Sequence, residues 1–238
     1  MSEHVVPTTL SPVWTLAAVT LKRLGRGKAL WIGALIAALP PALAIVFAAT
    51  KFHARHAALS PDVLFGISQG VLVVLPAMFV GASIGEEIEG RTSTYLWSRP
   101  IARWAVLAGK LCALTPIVIV LIVGGWYAGI IILTQAAPSL TSCVALAAEC
   151  VATSLVAAGI ATVVPKHGMA LTIGYILVDL FIGAMPFSLN ELSLTNQAHE
   201  LANLFGGQPA IATPLVAMIA VSSVWAAVGF VRIRRLEV

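Results

Sequence analysis

The chain has 238 residues, of which 59% are hydrophobic and only 10% are charged, with a formal net charge of +4 and a mean hydropathy of +0.97. A soluble globular domain is about 25% charged, so this composition supplies too little polar surface for a water-soluble fold. The composition therefore excludes a soluble single-core protein. It predicts a membrane protein, whose architecture is set by the number of its spans.

Residues 1–28 are predicted to form a cytoplasmic tail and an amphipathic elbow helix. The stretch "SPVWTLAAVTLKRLGRGK" opens with Ser-Pro, a common helix start, and cations accumulate towards its end. Its apolar residues recur at helical spacing: Trp14, Ala17, Leu21 and Leu24. This pattern favours a helix lying on the membrane surface, and the alternative is a helical extension of the first span.

Residues 29–238 are predicted to form an all-α, polytopic transmembrane domain of six helices. A bilayer core about 30 Å thick requires about 20 apolar residues, and the backbone must be helical because lipid offers no hydrogen-bond partners. Six stretches qualify: 29–50, 63–85, 104–134, 143–164, 169–189 and 213–231. Prolines inside these spans predict kinks at Pro40, Pro41, Pro76 and Pro116.

The distribution of basic residues predicts the orientation. With six spans, 12 of the 14 Lys and Arg fall on the side of the two termini, and only Lys51 and Arg55 fall on the other. Because the loops are short, the positive-inside rule places both termini and the segment 85–110 in the cytoplasm. The same asymmetry explains the basic pI of 9.2 without a nucleic-acid partner.

Small residues at four-residue spacing predict close helix packing. "GASIG" also matches the G-x-S-x-G elbow of serine hydrolases, so an intramembrane hydrolase using Ser83 is an alternative. That chemistry requires a base, and none of the five histidines lies in a predicted span. Packing is the preferred interpretation for the pairs Gly66 and Gly70, Gly81 and Gly85, and Gly125 and Gly129.

Acidic and amide side chains inside the membrane mark a possible substrate pathway. Asp179 lies in the fifth predicted span, Glu149 in the fourth and Gln69 in the second. Since a charge at this depth is costly, such groups should face protein or a water-filled path. The alternatives are an ion-coupled carrier using Asp179, or carboxyls that serve only as structural hydrogen-bond partners.

No metal or cofactor site is predicted in this chain. His53 and His56 near Asp62 supply too few ligands, and the three cysteines lack metal-type spacing. On the outer side, residues 190–212 contain Leu194, Ala198, Leu201 and Phe205 at helical spacing. This pattern predicts a short helix that dips into the outer leaflet or packs over the mouth of a pathway.

The most polar long stretch, residues 85–110, carries large apolar residues in a loop, which is typical of a docking element. The sequence of this stretch, "GEEIEGRTSTYLWSRPIARWAVLAGK", resembles the first cytoplasmic loop of ABC type-2 (ABC-2) transporter permeases. It departs from the family pattern at Arg91, which is inserted between Gly90 and Thr92. The residues that fill the family pattern are Glu86, Gly90, Thr92, Tyr95, Leu96, Arg99, Pro100, Arg103 and Lys110.

The resemblance implies a permease subunit of an ATP-binding cassette exporter in the bacterial inner membrane. Such permeases pair as dimers and dock two cytoplasmic ATPase subunits, and an outer accessory subunit is a further possible partner. The chain lacks a phosphate-binding G-x-x-x-x-G-K-[ST] motif, so ATP and Mg²⁺ are expected on the separate ATPase, and the chain itself is not an enzyme. By analogy, the docking and coupling residues are Glu86, Glu87, Glu89, Gly90, Arg91, Thr92, Tyr95, Leu96, Arg99, Pro100 and Arg103.

Overall fold

A computed structural model describes residues 10–49, 60–89, 103–185, 188–202 and 212–235, and this part of the chain is helical with no strand. Six helical segments in it are long and apolar enough to cross a membrane, which confirms the predicted all-α architecture. They are Lys28–Ala49, Pro61–Glu89, Trp104–Thr134, Leu140–Val163, Pro165–Gly183 and Ala212–Arg235. We refer to them as the first to sixth spans.

The N-terminal helix, α1 (Leu10–Arg26), is separate from the first span. Gly27 has extended backbone angles, φ −88° and ψ 154°, so the helix cannot run on into α2 (Lys28–Ala37). Val13 and Ala17 are buried, whereas Trp14 and Leu21 are exposed. The face that packs on the protein is therefore shifted from the predicted one, and part of the apolar stripe points away from the bundle.

Prolines interrupt the first two spans, as the sequence predicts. The first span breaks at Ala38, between α2 and α3 (Leu39–Ala49), just before Pro40 and Pro41. The second span consists of α4 (Pro61–Pro76), a π-helical turn (Ala77–Gly81) and α5 (Ala82–Glu89). A proline lacks the amide hydrogen that an α-helix needs, so a change of helical pitch at Pro76 has a direct cause.

The fourth span forms the centre of the bundle. The third span is α6 (Arg103–Thr134) and the fourth is α7 (Leu140–Val163). α7 is rich in Ala, Ser and Thr, and small side chains let several helices approach its backbone. It packs against the second, third and fifth spans and most extensively against α10 (Ala212–Arg235), the sixth span.

The fifth span ends earlier than predicted. It contains the 3₁₀ turn Pro165–His167 and α8 (Gly168–Gly183), so it stops six residues before the predicted end at residue 189. A side chain at position 183 would collide with Ser193, 2.7 Å from a Cβ built on Gly183. The chain turns here into a 3₁₀ turn (Ser188–Leu192) and a short helix, α9 (Leu194–Leu201).

The predicted glycine pairs divide into two groups. A Cβ on Gly85 would lie 2.7 Å from the Pro165 carbonyl oxygen, and one on Gly125 would overlap the Ala37 carbonyl. Gly81 and Gly129 make tight or ordinary contacts. At Gly66 and Gly70 no atom of the described residues would lie within 4 Å, so this pair does not pack closely within that part of the chain.

Candidate functional site: two polar clusters

One polar cluster, the outer cluster, is built around the start of α9 and comprises Gln69, Glu149, Asp179, Ser193, Thr195 and His199. Asp179 in the fifth span accepts hydrogen bonds from the backbone amides of Leu194 and Thr195, both at 3.0 Å. The Thr195 hydroxyl donates at 2.8 Å and the Ser193 hydroxyl at 3.2 Å to the same carboxylate. Asp179 therefore caps the positive end of α9 from another helix.

Thr195 connects this cap to the second and fourth spans. Its carbonyl accepts a hydrogen bond of 3.2 Å from Gln69 Nε2. The same amide nitrogen donates to both carboxylate oxygens of Glu149, at 3.2 and 3.3 Å. Gln69 and Glu149 are 2% and 1% exposed, so the bonds lie in the protein interior. The three predicted pathway residues are thus brought together.

His199 completes the outer cluster from the second turn of α9. Its Nε2 lies 2.7 Å from Gln69 Oε1. Because the Gln69 nitrogen already donates to Glu149 and Thr195, its oxygen is the acceptor and His199 Nε2 carries the proton. Burial lowers the pKa of His199 below its ordinary value, and the charge of Asp62 opposes this shift. The imidazole also packs on Phe65, with ring centroids 5.0 Å apart.

The second cluster, the inner cluster, comprises Ser83, Glu87 and Lys110 and lies near the Glu89 end of the second span. Lys110, 4% exposed, donates to Glu87 Oε1 at 2.8 Å and to Ser83 Oγ at 3.0 Å. It also donates to the Ser83 backbone carbonyl. All three ammonium protons are thereby used. Gln69 and Ser83 are 14 residues apart, or about 21 Å along a helix.

The inner cluster bears on the hydrolase alternative, because a lysine can replace histidine as the base for a serine. Here Lys110 is a hydrogen-bond donor held by a carboxylate, and it has no lone pair directed at Ser83 while Glu87 is bound. The arrangement is that of a structural ion pair, in which Ser83 is an acceptor. Asp179 is likewise committed to capping α9, which favours the structural interpretation of this carboxyl over a carrier role.

The remaining predicted residues are described in part. Glu86 and Glu89 lie exposed at the end of α5, whereas Glu87 turns inward to Lys110. Gly90, Arg91, Thr92, Tyr95, Leu96, Arg99 and Pro100 lie outside the described residues, as do His53 and His56. Arg103 begins α6, and its side chain is not described. Among the described residues, no group of three or more His, Cys, Asp or Glu could hold a metal ion.

Sequence reasoning missed four members of the two clusters. Ser193, Thr195 and His199 lie in a loop segment whose apolar spacing predicts a helix but does not show which way its polar face turns. The available signal is Ser193 just before the apolar spacing begins, because serine is a preferred N-cap residue. Indeed Ser193 Oγ accepts from the Asn196 amide at 3.2 Å. Lys110 belongs to the sequence pattern of the loop, but it lies seven residues inside α6, and the pattern does not show its pairing with Glu87.

Comparison with known proteins agrees with this architecture. None of the curated proteins compared with the chain is significantly similar to it. Residues 20–183, from α1 to the end of the fifth span, match the family model described as ABC-2 family transporter protein, and the match includes the inner cluster, Gln69, Glu149 and Asp179. With more than half of its length matched and six helices able to span a membrane, the chain belongs to the ABC-2 family of transporter membrane proteins.

Proposed function

We propose that this permease subunit works as an exporter in the bacterial inner membrane, with α9 as its outer gate. Two copies of a separate ATPase subunit bind Mg²⁺ and ATP and dock on the cytoplasmic segment 85–110. A second copy of the chain completes the pathway as a homodimer, and an outer accessory subunit can receive the substrate. Membership of the family and six spans support a membrane transport subunit; the direction, partners and gate are the proposal.

The observation that carries the gate is the burial of α9, which is hydrogen-bonded to the second and fifth spans. Leu194, Ala198 and Leu201 are nearly inaccessible, although the helix belongs to a connection between spans. The side chains of Asp179 and Gln69 hold it, and Glu149 in turn accepts hydrogen bonds from Gln69. Hydrogen bonds between polar groups can be broken and re-formed, so the helix can leave the bundle when the spans separate.

Opening of this gate would expose polar groups to the substrate. The hydrogen bonds that reach the Glu149 carboxylate come from Gln69, whose amide also binds α9 at Thr195. Withdrawal of α9 frees the Thr195 and His199 contacts of Gln69. Glu149 and Gln69 then form a polar contact point in an otherwise apolar pathway, as intramembrane carboxyls commonly do.

The gate is tested by labelling a cysteine at the buried position Ala198, in a chain whose native cysteines are replaced. Asp179→Asn keeps the shape of the side chain but removes its charge and one acceptor oxygen, so α9 should detach more often. We expect an impermeant maleimide to react with Ala198→Cys at least about tenfold faster in the Asp179→Asn chain, as the loss of one buried charge-assisted bond predicts.

The matched control is Glu191→Gln, which removes an exposed carboxylate from the connection between the fifth and sixth spans. This control should leave the rate of labelling unchanged. Equal rates in the Asp179→Asn and Glu191→Gln chains would contradict the gate while leaving the family assignment untouched.

Coupling to the ATPase is tested at Tyr95 and Leu96, two large apolar residues in the cytoplasmic segment. Their replacement by alanine should abolish co-purification with an ATP-binding cassette subunit, since only a partner would bury them there. The control replaces Leu192, an exposed residue in the connection between the fifth and sixth spans, by alanine. Undiminished co-purification and ATP hydrolysis in the double variant would refute docking at this segment.

A further inference from the structure

A groove of about 400 Å³ lies between α1 and the second and third spans, next to the inner cluster. Ligand pockets have volumes of about 300–1,000 Å³, so the groove has the size of a small-molecule site. Its deeper walls are apolar and include Met78, Phe79 and Leu114. Its rim carries charged side chains from two elements, Arg23 of α1 and Glu86 of α5.

The charged side chains at the rim form no hydrogen bond or ion pair within the described part of the chain. Arg23 and Glu86 are exposed, and neither forms a hydrogen bond or an ion pair with another described residue. Lys110 and Glu87 also line the groove but neutralise each other at 2.8 Å. Among its described lining residues, the groove therefore presents one cation and one anion that are not in a hydrogen bond or an ion pair, although both charges act on Lys110.

The position of the groove indicates what fills it. Glu86 lies three residues before the end of the second span, and Arg23 lies five residues before the start of the first. The rim thus lies at the level of lipid headgroups, and the apolar walls extend towards the level of acyl chains. An occupant needs a zwitterionic head and an apolar tail.

We propose that this groove binds a phospholipid with a phosphoethanolamine headgroup. The Arg23 guanidinium pairs with the phosphate, for which its planar fork of donors is well suited. The Glu86 carboxylate accepts hydrogen bonds from the primary ammonium. The part of an acyl chain nearest the headgroup lies along Phe79 and Leu114. A choline headgroup lacks an N–H donor for Glu86, and a glycerol headgroup lacks the cation, so both bind less well.

The site depends only on the location of the chain in a membrane and not on the direction of transport. The lipid lies beside α5 and the start of α6, which are the two ends of the segment 85–110. It fills the space between α1 and these helices and stabilises their packing.

The test is native mass spectrometry of the full-length protein, delipidated in detergent and given phosphatidylethanolamine, phosphatidylcholine or phosphatidylglycerol with identical acyl chains. We expect the ethanolamine lipid to be retained preferentially. Arg23→Gln and Glu86→Gln should each weaken that retention about tenfold, the change expected when one charge-assisted hydrogen bond is lost. Lys22→Gln and Glu89→Gln remove exposed neighbouring charges outside the groove and should retain the lipid as the parent does.

A second variant tests the apolar part of the same site. Ala82 lines the groove, so Ala82→Leu should occupy part of its volume and displace the lipid while both rim charges remain. Circular dichroism and size exclusion show that each variant is folded before its lipid binding is measured. Equal retention of the three lipids, a preference for phosphatidylglycerol, or rim variants indistinguishable from Lys22→Gln and Glu89→Gln would overturn the proposal.

Discussion

Lys110 and Glu87 show how one buried charge determines the conformation of its neighbours. The Lys110 side chain is 5% exposed and that of Glu87 is 26% exposed, so the two partners do not lose the same amount of hydration. A buried charge is costly unless it is paired and hydrogen-bonded. The pair also joins the two helices that flank the segment 85–110, and it therefore fixes the distance between the ends of that segment.

We expect the two partners to differ in their effect on stability. Glu87→Gln leaves a buried ammonium without its counter-charge and should cost about 3 kcal/mol. Lys110→Met leaves a carboxylate that can turn to water and should cost about 1 kcal/mol. The measurement is unfolding in detergent, followed by tryptophan fluorescence. Glu89→Gln, an exposed neighbour on the same helix, is the control.

The reverse order of the two variants, or a Glu87→Gln chain as stable as Glu89→Gln, would contradict the asymmetry. It would show that Lys110 reaches solvent when its partner is removed. Ser83→Ala removes one neutral acceptor from the same ammonium and should cost only about 1 kcal/mol.

His199 predicts a pH dependence of the outer cluster. Because burial lowers its pKa below the ordinary 6.5, the folded state favours the neutral imidazole, against the opposing charge of Asp62. The stabilisation is fully present above pH 6.5 and is lost as the pH falls through the lowered pKa. Hydrogen exchange of the α9 amides, corrected for its intrinsic rate, should therefore lose protection as the medium becomes acidic.

The charge of Asp62 acts on this imidazole, and Gln69 links His199 to Glu149 by hydrogen bonds. His199→Gln keeps a hydrogen-bonding side chain that does not titrate, so it should flatten the pH profile. His167→Gln, at an exposed position on the fifth span, should leave the profile unchanged. An identical acid response in the parent and the His199→Gln chain would exclude His199 as its source.

At the scale of single helices, the six spans could be predicted because lipid demands an apolar helical segment wherever the chain crosses it. The sequence also identified Gln69, Glu149 and Asp179, since polar groups are rare in such surroundings. It could not show that α9 turns its Ser193 and Thr195 end towards Asp179. That contact joins Thr195 to a residue 16 positions earlier in the chain and depends on the early end of the fifth span at Gly183.

Glycine spacing alone was an incomplete guide to helix packing. The G-x-x-x-G pattern states that two backbones can approach, but it does not state whether a neighbour is present. Gly85 meets the Pro165 carbonyl, whereas Gly66 and Gly70 carry the same spacing and meet no described atom. Only the arrangement of the helices separates these cases.

The difference between the glycines gives a paired prediction. A methyl group at position 85 would lie 2.7 Å from the Pro165 carbonyl oxygen, so Gly85→Ala must push the connection between the fourth and fifth spans away. We expect a loss of about 1–3 kcal/mol, as for other overpacked sites. Gly70→Ala has open space around its Cβ and should be neutral or slightly stabilising. Thermal unfolding of the two purified variants measures both effects.

If Gly70→Ala proves as damaging as Gly85→Ala, the unoccupied face of α4 is covered in the assembled protein by another helix. If neither variant loses stability, the connection at Pro165 can yield, and close packing at Gly85 is not required.

At the scale of the whole molecule, the two polar clusters lie towards opposite ends of the second span. The outer cluster fastens α9 to the second and fifth spans, and the inner cluster fastens the ends of the segment 85–110. The apolar core between them contains Leu72, Leu75 and Phe79. The proposed function needs this separation, because a change on the ATPase side would have to reach the proposed gate at α9 through helices that move as rigid bodies.

This arrangement works only if the outer cluster faces away from the cytoplasm, which is a prediction from the distribution of the basic residues. Cysteines introduced one at a time, after replacement of the native ones, test it in intact cells. Glu200→Cys lies at an exposed position of α9 and should react with a membrane-impermeant maleimide. Arg99→Cys, in the cytoplasmic segment, should react only after the membrane is opened.

Ala198→Cys serves as the internal control, because its position is inaccessible although it lies only two residues from Glu200. Slow labelling at this position beside fast labelling at Glu200→Cys shows that the reagent reports on exposure within a folded α9. Labelling of Arg99→Cys in sealed cells would reverse the orientation. It would put the segment 85–110 beyond the reach of a cytoplasmic ATPase and place the gate on the wrong side for export.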